Sequence, residues 1–330
     1  MKARLALVGY GWIADLHCRA ARAAGWEVVG VAGHDAERAR AFARAHDIAD
    51  STSDWQSLSA ADGVDAVVVA TPNFLHCEQT MHALGNGKHV LVEKPMAITV
   101  AEGEAMVEAA TSAGRVLAVG HMWRYRDEVI ALRGRIAIGE FGRVVRTHGY
   151  GIHAGWGPRG WFTDRALAGG GALIDMGIHA IDTARFLLGD PQPVRVVGSL
   201  GSAYGEYGVD DDGVVLIDWE CGVRSVVECG WWQPRLGGVE ADTEVLGTGG
   251  AARIWPDMPP VPADYEHCSV PMYARQLDDF RQACATGSVP IASAEVGLTA
   301  LRIVEAAYAS SEARFGSNVS SAGSMTEITR

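Results

Sequence analysis

Short apolar runs and longer helix-compatible stretches alternate through the first third of the chain. Residues 4–8 (RLALV), 27–32 (EVVGVA), 65–70 (DAVVVA), 89–92 (HVLV) and 116–120 (VLAVG) have the length and character of strands buried on both faces. Between them, residues 12–24, 35–45, 74–86 and 99–113 carry helix-forming patterns. Repeated strand–helix units of this kind predict an α/β domain with a parallel, doubly wound sheet.

The rhythm changes after about residue 121. A helix to about 138 and a strand over 143–152 precede a loop, 153–162, dense in Trp, Gly and Pro. Strand-like runs then follow at 193–202, 213–220, 223–230, 240–247 and 251–254, separated by Gly-rich turns with little helix, which predicts an antiparallel sheet. The pair Trp231-Trp232 closes one of these runs and suggests interface surface. A Pro-rich loop over 256–271 leads to helices at 272–285 and 293–315, and the polar tail 316–330 shows no periodicity. The expected division is therefore a nucleotide-type domain over 1–121, a second domain over 122–315, and the tail.

One stretch breaks the ordinary pattern. Residues 169–190 (GGGALIDMGIHAIDTARFLLGD) read as a helix that is apolar nearly all round and stops at Gly189. Such a helix belongs in the interior, yet it carries Asp175 and His179 four residues apart, hence on one face, with Asp182 a turn further on. Buried ionisable groups are costly unless paired or used. This helix is the first candidate for chemistry.

Composition narrows the classes. The 330 residues exceed one ordinary core, and the net charge of −12 opposes binding to nucleic acid or to an anionic membrane. The six cysteines form no C-x-x-C pair and read as reduced intracellular thiols. The apolar run after Lys2 and Arg4 breaks at Gly9, too early for a signal-peptide core, and no run approaches a membrane span. A cytoplasmic protein is expected. No H-E-x-x-H and no Cys/His cluster at zinc spacing is present, so no metal is expected.

The first strand runs straight into Gly9-Tyr10-Gly11-Trp12-Ile13-Ala14, the G-x-G-x-x-A fingerprint of a dinucleotide site in its strand–turn–helix setting. Gly9 serves the turn, Gly11 the approach of a pyrophosphate, and the helix that follows offers open N–H groups to it. The second strand ends at Gly33-His34, where NAD-selective domains place an acid, with Asp35 two residues late. Arg38, one turn into the next helix, is suited to a 2′-phosphate, which tilts the expectation from NAD toward NADP. Arg38 as a solvated charge and Asp35 as an N-cap are the plainer alternatives. Thr71-Pro72-Asn73, with His76 beyond it, and Glu93-Lys94-Pro95 close two further strands, at the end where such sheets take their ligands.

With these motifs in order, the chain resembles the Gfo/Idh/MocA oxidoreductase family over roughly residues 1–315. The resemblance rests on Gly9-x-Gly11-x-x-Ala14, Thr71-Pro72-Asn73, Glu93-Lys94-Pro95, Gly169-Gly170-Gly171 and Asp175-x-x-x-His179. It implies an N-terminal Rossmann domain, a C-terminal α+β domain with an open, mostly antiparallel sheet, and self-association as a homodimer or homotetramer through that sheet. It also implies NAD(P)-dependent oxidation or reduction of sugars, cyclitols and related polyols. On this likeness Lys94, Asp175 and His179 are the catalytic candidates. The cofactor candidates are Gly9, Gly11, Trp12, Ile13, Gly33, His34, Arg38, Thr71, Pro72, Asn73, His76, Glu93 and Lys94. Arg124, His153, Trp161 and Tyr273 are candidates for substrate contact, with Trp156 and Arg159 in the same aromatic loop.

The chemistry expected is hydride transfer between nicotinamide and a carbinol carbon. His179 is the first choice of proton carrier because its ordinary pKa lies near working pH. Asp175 would accept from the imidazole or bind a hydroxyl, and Lys94 would stabilise alkoxide charge or carry the proton itself. Two other readings within the family stay open: a glycosidase acting through transient NAD-dependent oxidation, and a non-catalytic dinucleotide-sensing regulator.

Overall fold

The computed structural model describes residues 2–153, 158–231, 239–255 and 265–313. Its first sheet is built from β1 (Arg4–Val8), β2 (Glu27–Ala32), β3 (Asp50–Thr52), β4 (Ala66–Val69), β5 (His89–Val92) and β6 (Leu117–Val119). The helices α1 (Trp12–Ala23), α2 (Ala36–Ala45), α3 (Trp55–Ala60), α4 (His76–Gly85) and α5 (Val100–Ala113) connect them. All pairings are parallel and the spatial order is β3-β2-β1-β4-β5-β6, the doubly wound order of a dinucleotide-binding domain. The sequence pattern missed β3 and α3. Both are short, and β3 is half exposed at the sheet edge, so neither carries the apolar run of a buried strand.

The second domain opens with α6 (Asp127–Ala137), β7 (Val144–His153) and the single-turn α7 (Arg165–Ala168). After α8 (Ile178–Leu187) come β8 (Pro193–Gly201), β9 (Asp212–Trp219), β10 (Arg224–Trp231), β11 (Val239–Gly247) and β12 (Ala251–Arg253). They form a six-stranded sheet in the order β12-β11-β7-β10-β9-β8. Every neighbouring pair is antiparallel except β7 with β10, so the sheet is mixed at its centre. Strand β9 alternates, sending Val215, Ile217 and Trp219 inward while Val214 and Leu216 stay exposed.

The chain closes with α9 (Tyr265–Thr286) and α10 (Ala294–Glu312). The stretch 265–271, expected as loop, is helical with Pro271 inside α9, where proline keeps a helical φ but gives up a backbone N–H and crowds the carbonyl four residues earlier. Residues 256–264 of that expected loop and the tail 316–330 lie outside the described residues. Helix α9 returns to the first domain. Its Met272, Tyr273, Leu277 and Phe280 join Leu5, Leu7, Leu16 and Ala20 in one buried cluster, because the outer face of α1 is apolar and needs a cover. The Trp26 indole N–H donates to Leu277 O at 2.9 Å, which pins α9 to the turn between α1 and β2. A second cluster runs from Val67, Val69 and Val92 through Met106 to Ile178, Ile181 and Leu301, so the two sheets share apolar packing. Among the described residues, no helix is long and apolar enough to cross a membrane.

Candidate active site

The helix expected over 169–190 is not continuous. Leu173–Gly177 forms a π-helical turn, followed directly by α8. The widened turn rotates Asp175 out of the i,i+4 relation to His179 that a plain α-helix would impose. Asp175 does not accept from the imidazole. Its Oδ1 accepts from Lys94 Nζ at 2.9 Å, its Oδ2 accepts from the Trp231 indole N–H at 3.1 Å, and its carbonyl oxygen accepts from Lys94 Nζ at 2.9 Å. Gly189 sits past the end of α8 at φ +86°, and the N–H of Asp190 reaches back to Arg185 O, which closes the helix as the sequence suggested.

The three glycines enter this element closely packed, Gly169 against Ile98 of the first domain, Gly170 against Tyr308 and Gly171 against Asp210. Gly171 N–H donates to Asp210 Oδ1 and Leu173 N–H to Asp210 Oδ2, so a buried carboxylate caps the turn. Tyr308 donates its hydroxyl to the same carboxylate. Burial pushes Asp210 up, against those bonds.

His179 is 3% exposed and its Nδ1 has no partner. Burial first, then the charge of Lys94 and the neighbouring His121, hold it well below the usual histidine range. It is therefore a neutral imidazole at pH 7, in the field of a lysine ammonium. That arrangement can take a proton from a hydroxyl whose oxygen the ammonium stabilises.

Lys94 reaches this point because β5 ends at Val92 and the backbone turns at once through Glu93. Glu93, expected to contact cofactor, is 6% exposed and faces inward: its Oε1 lies 2.6 Å from His17 Nε2 and its Oε2 accepts the Lys94 N–H at 3.1 Å. His76, also expected at the cofactor, is buried with Nδ1 2.8 Å from Pro95 O and Nε2 2.8 Å from Thr71 O, so it ties the two loops together. Asn73 donates its side-chain amide to Ala168 O, joining the domains. Thr71 donates its hydroxyl to Gln79 Oε1, while Thr71 and Pro72 stay half-buried at the carboxyl end of β4.

The nucleotide turn fits a dinucleotide. Gly9 takes φ +119° and a Cβ there would lie 2.2 Å from Ala70 O. Gly11 opens α1 with no side-chain cap and no atom within 4 Å of the place a Cβ would take, leaving the first N–H groups to an anion. Trp12 is half exposed and Ile13 half-buried beside it. At the end of β2, a Cβ on Gly33 would lie 2.1 Å from the Tyr10 ring, so an acid fits there only if the ring moves. The Tyr10 hydroxyl lies 2.9 Å from His34 Nδ1, and the Arg38 guanidinium sits over the same ring at 4.8 Å. Asp35 accepts from the Arg38 and Glu37 N–H groups as the N-cap of α2, and those bonds lower its carboxyl.

Two residues expected at the substrate are buried among protein partners. Arg124 is 1% exposed, its guanidinium bonded to Asp182 at 2.8–3.0 Å and to Asp190 at 2.7 Å. A cation so placed answers the carboxylate of α8 instead of a ligand. Tyr273 is 2% exposed and stands edge-on to His17, with ring centroids 5.0 Å apart, because α9 covers α1. His153 pairs in register with Trp231, which sets it beside the Asp175 contact. Trp161 stacks on Phe162 at 3.8 Å, half-buried, and Arg159 is exposed. Trp156 lies outside the described residues.

Trp231, expected at the surface, is fully buried against Asp175. The alternation of β10 held the signal: Ser225, Val227 and Cys229 point inward, and Trp231 continues their face. Trp232 lies outside the described residues. His17 and His121 also went unread, since each gains its neighbours only through the fold.

A doubly wound sheet with an open helix terminus at its nucleotide turn, joined to a sheet domain that returns an acid and a histidine to the crevice, defines a dinucleotide-dependent oxidoreductase. Residues 3–121 match the Gfo/Idh/MocA oxidoreductase family, NAD-binding Rossmann fold, and residues 129–253 match the Gfo/Idh/MocA C-terminal domain. The chain belongs to this family. It is 38% identical over 224 residues to a 1,5-anhydro-D-fructose reductase of Ensifer adhaerens, covering 67% of each chain. It is 27% identical to an NADP(+)-linked D-xylose 1-dehydrogenase of Haloarcula marismortui, over 94% of this chain and 91% of that one. Among solved structures it resembles GenD2 from gentamicin A biosynthesis, in complex with NAD, at TM-score 0.85 and 26% identity over 94% of each chain.

Proposed function

We propose that this enzyme moves a hydride between NAD(P) and a carbinol or ketone carbon of a sugar, cyclitol or related polyol, with Lys94 and His179 managing the hydroxyl proton. The observation that carries the reading is the Lys94 ammonium held at Asp175 beside a buried, neutral His179. When bound, the nicotinamide supplies the hydride acceptor or donor. Lys94 binds the reacting oxygen and offsets its developing negative charge. His179 takes the proton in oxidation and returns it in reduction. Asp175, fixed by Trp231, keeps the ammonium in place. The names of the relatives, which act on sugars, support the substrate class.

Arg38, His34 and the Tyr10 hydroxyl frame the place of a 2′-phosphate, which favours NADP. The exposed Val214 and Leu216 on the outer sheet face support a homodimer or homotetramer through that face. Cys18, Cys77, Cys221, Cys229 and Cys284 are free, in keeping with a reducing cytoplasm. The test is NADH and NADPH binding by fluorescence, followed by a polyol and ketose panel with the preferred cofactor. Turnover of at least one sugar or cyclitol is expected. Dinucleotide binding with no turnover across the panel would reject the reading.

A further inference from the structure

We propose that His17 is a positioning residue for Lys94, coupling the helix that would take the dinucleotide's pyrophosphate to the turn that carries the lysine. The inference rests on the role given to Lys94 above. His17 lies within α1, 0% exposed, in the helix whose open N-terminus faces the nucleotide turn. Its Nε2 lies 2.6 Å from Glu93 Oε1, and the other oxygen of that carboxylate accepts the backbone N–H of Lys94. One side chain thus spans two elements. The ring is fixed from the far side by Tyr273 of α9, edge-on.

The charge pattern agrees with the geometry. Burial alone would raise the Glu93 carboxyl, yet the His17 hydrogen bond, with the charges of His17 and Lys94, brings it below the ordinary range. An ionised carboxylate in a dry setting needs all its donors. Take the His17 N–H away, and Glu93 must protonate or turn toward another donor. Either change loosens its hold on the Lys94 N–H, and with it the seat of the ammonium against Asp175.

The partners can be separated experimentally. His17→Leu should lower kcat about tenfold to hundredfold while the dinucleotide Kd stays within about threefold, as expected when a catalytic group is displaced and the binding surface is not. His17→Gln, which keeps an N–H donor, should recover most of that loss. His17→Leu combined with Glu93→Gln should be no worse than the poorer single variant. A folded His17→Leu with kcat within about twofold of the parent, a Gln variant no better than Leu, or additive losses would overturn the proposal. Should the Leu variant fail to fold, His17→Asn, whose shorter side chain cannot carry a donor to Glu93, replaces it in the same cycle.

Positioning is also read without turnover, from the rate of Lys94 reductive methylation followed by peptide mass spectrometry. The rate should rise severalfold in the leucine or Glu93→Gln variants and not in His17→Gln. An unchanged rate overturns the coupling even if the parent turns over polyols. A raised rate in a parent chain with no turnover supports the coupling and rejects only the catalytic reading.

Discussion

Lys94 Nζ meets Asp175 Oδ1 at 2.9 Å across 81 positions of chain, and the same ammonium also meets the Asp175 carbonyl. The lysine thus has two fixed acceptors and still keeps a donor for a ligand. Lys94→Ala should cost about a hundredfold to a thousandfold in kcat, the scale of one lost stabilising donor, with dinucleotide affinity nearly unchanged. Asp175→Asn keeps an acceptor for the lysine but loses the charge, and should cost less. Steady-state kinetics beside fluorescence titration checks both.

His179 is depressed by burial, then by Lys94 and His121. As a base it works in the neutral form, so the acid limb of kcat/KM for oxidation should lie below the ordinary histidine value of 6.5. In Lys94→Met, the limb should move up toward that value if any activity survives.

The same shift bears on stability, together with that of His121, which burial also lowers. Below pH 6.5 the unfolded chain binds protons that the folded chain refuses. The contribution is whole above 6.5 and is lost as pH falls toward the folded values. Urea midpoints should therefore drop between pH about 7.5 and about 5.5, and His121→Asn should flatten the drop.

Arg38 and His34 both contact Tyr10 at the end of β2, where an acid is sterically opposed by the same ring. Arg38→Ala should weaken NADPH binding about fivefold to tenfold and leave NADH nearly unchanged, the modest scale reflecting an exposed guanidinium. Direct titration with both dinucleotides measures the difference. Tighter NADH than NADPH in the parent would remove the phosphate reading.

Arg124 holds Asp182 inside the protein, with both groups nearly unexposed. Burial disfavours the charge of each, and each is kept ionised by the other, with Asp190 adding to the arginine and His121 to the aspartate. Arg124→Met should cost about 3–5 kcal/mol by stranding the Asp182 carboxylate. A thermal melt would show it, and KM in the folded fraction should stay near that of the parent. A large KM change with unaltered stability would restore the substrate role that the sequence suggested.

Much of the fold is written locally. Buried parallel strands are nearly continuous apolar runs, and G-Y-G-W-I-A announces its turn at one glance. The site is only half legible in the same way. Lys94 and His179 stand in recognisable settings, because a charge ending an apolar strand or interrupting an apolar helix is conspicuous. Their neighbours are not. Nothing around Trp231 names Asp175 as its acceptor, and nothing around His17 names Glu93. Arg124, Glu93, His76 and Asn73 are hard to read for a related reason: a polar residue near a crevice is chemically ambiguous until its partner is known. Here the partners are other protein groups, supplied by distant elements.

The π turn at Leu173–Gly177 makes the site depend on a fault in a helix. It acts as a one-residue splice that offsets every side chain after it by about 100°. Removing Met176 should mend the ladder into ordinary α-helix and swing His179 and Asp182 to a new bearing. Helix quality and activity therefore pull in opposite directions at this point. A design procedure that rewards regular backbone would erase the enzyme while improving its spiral.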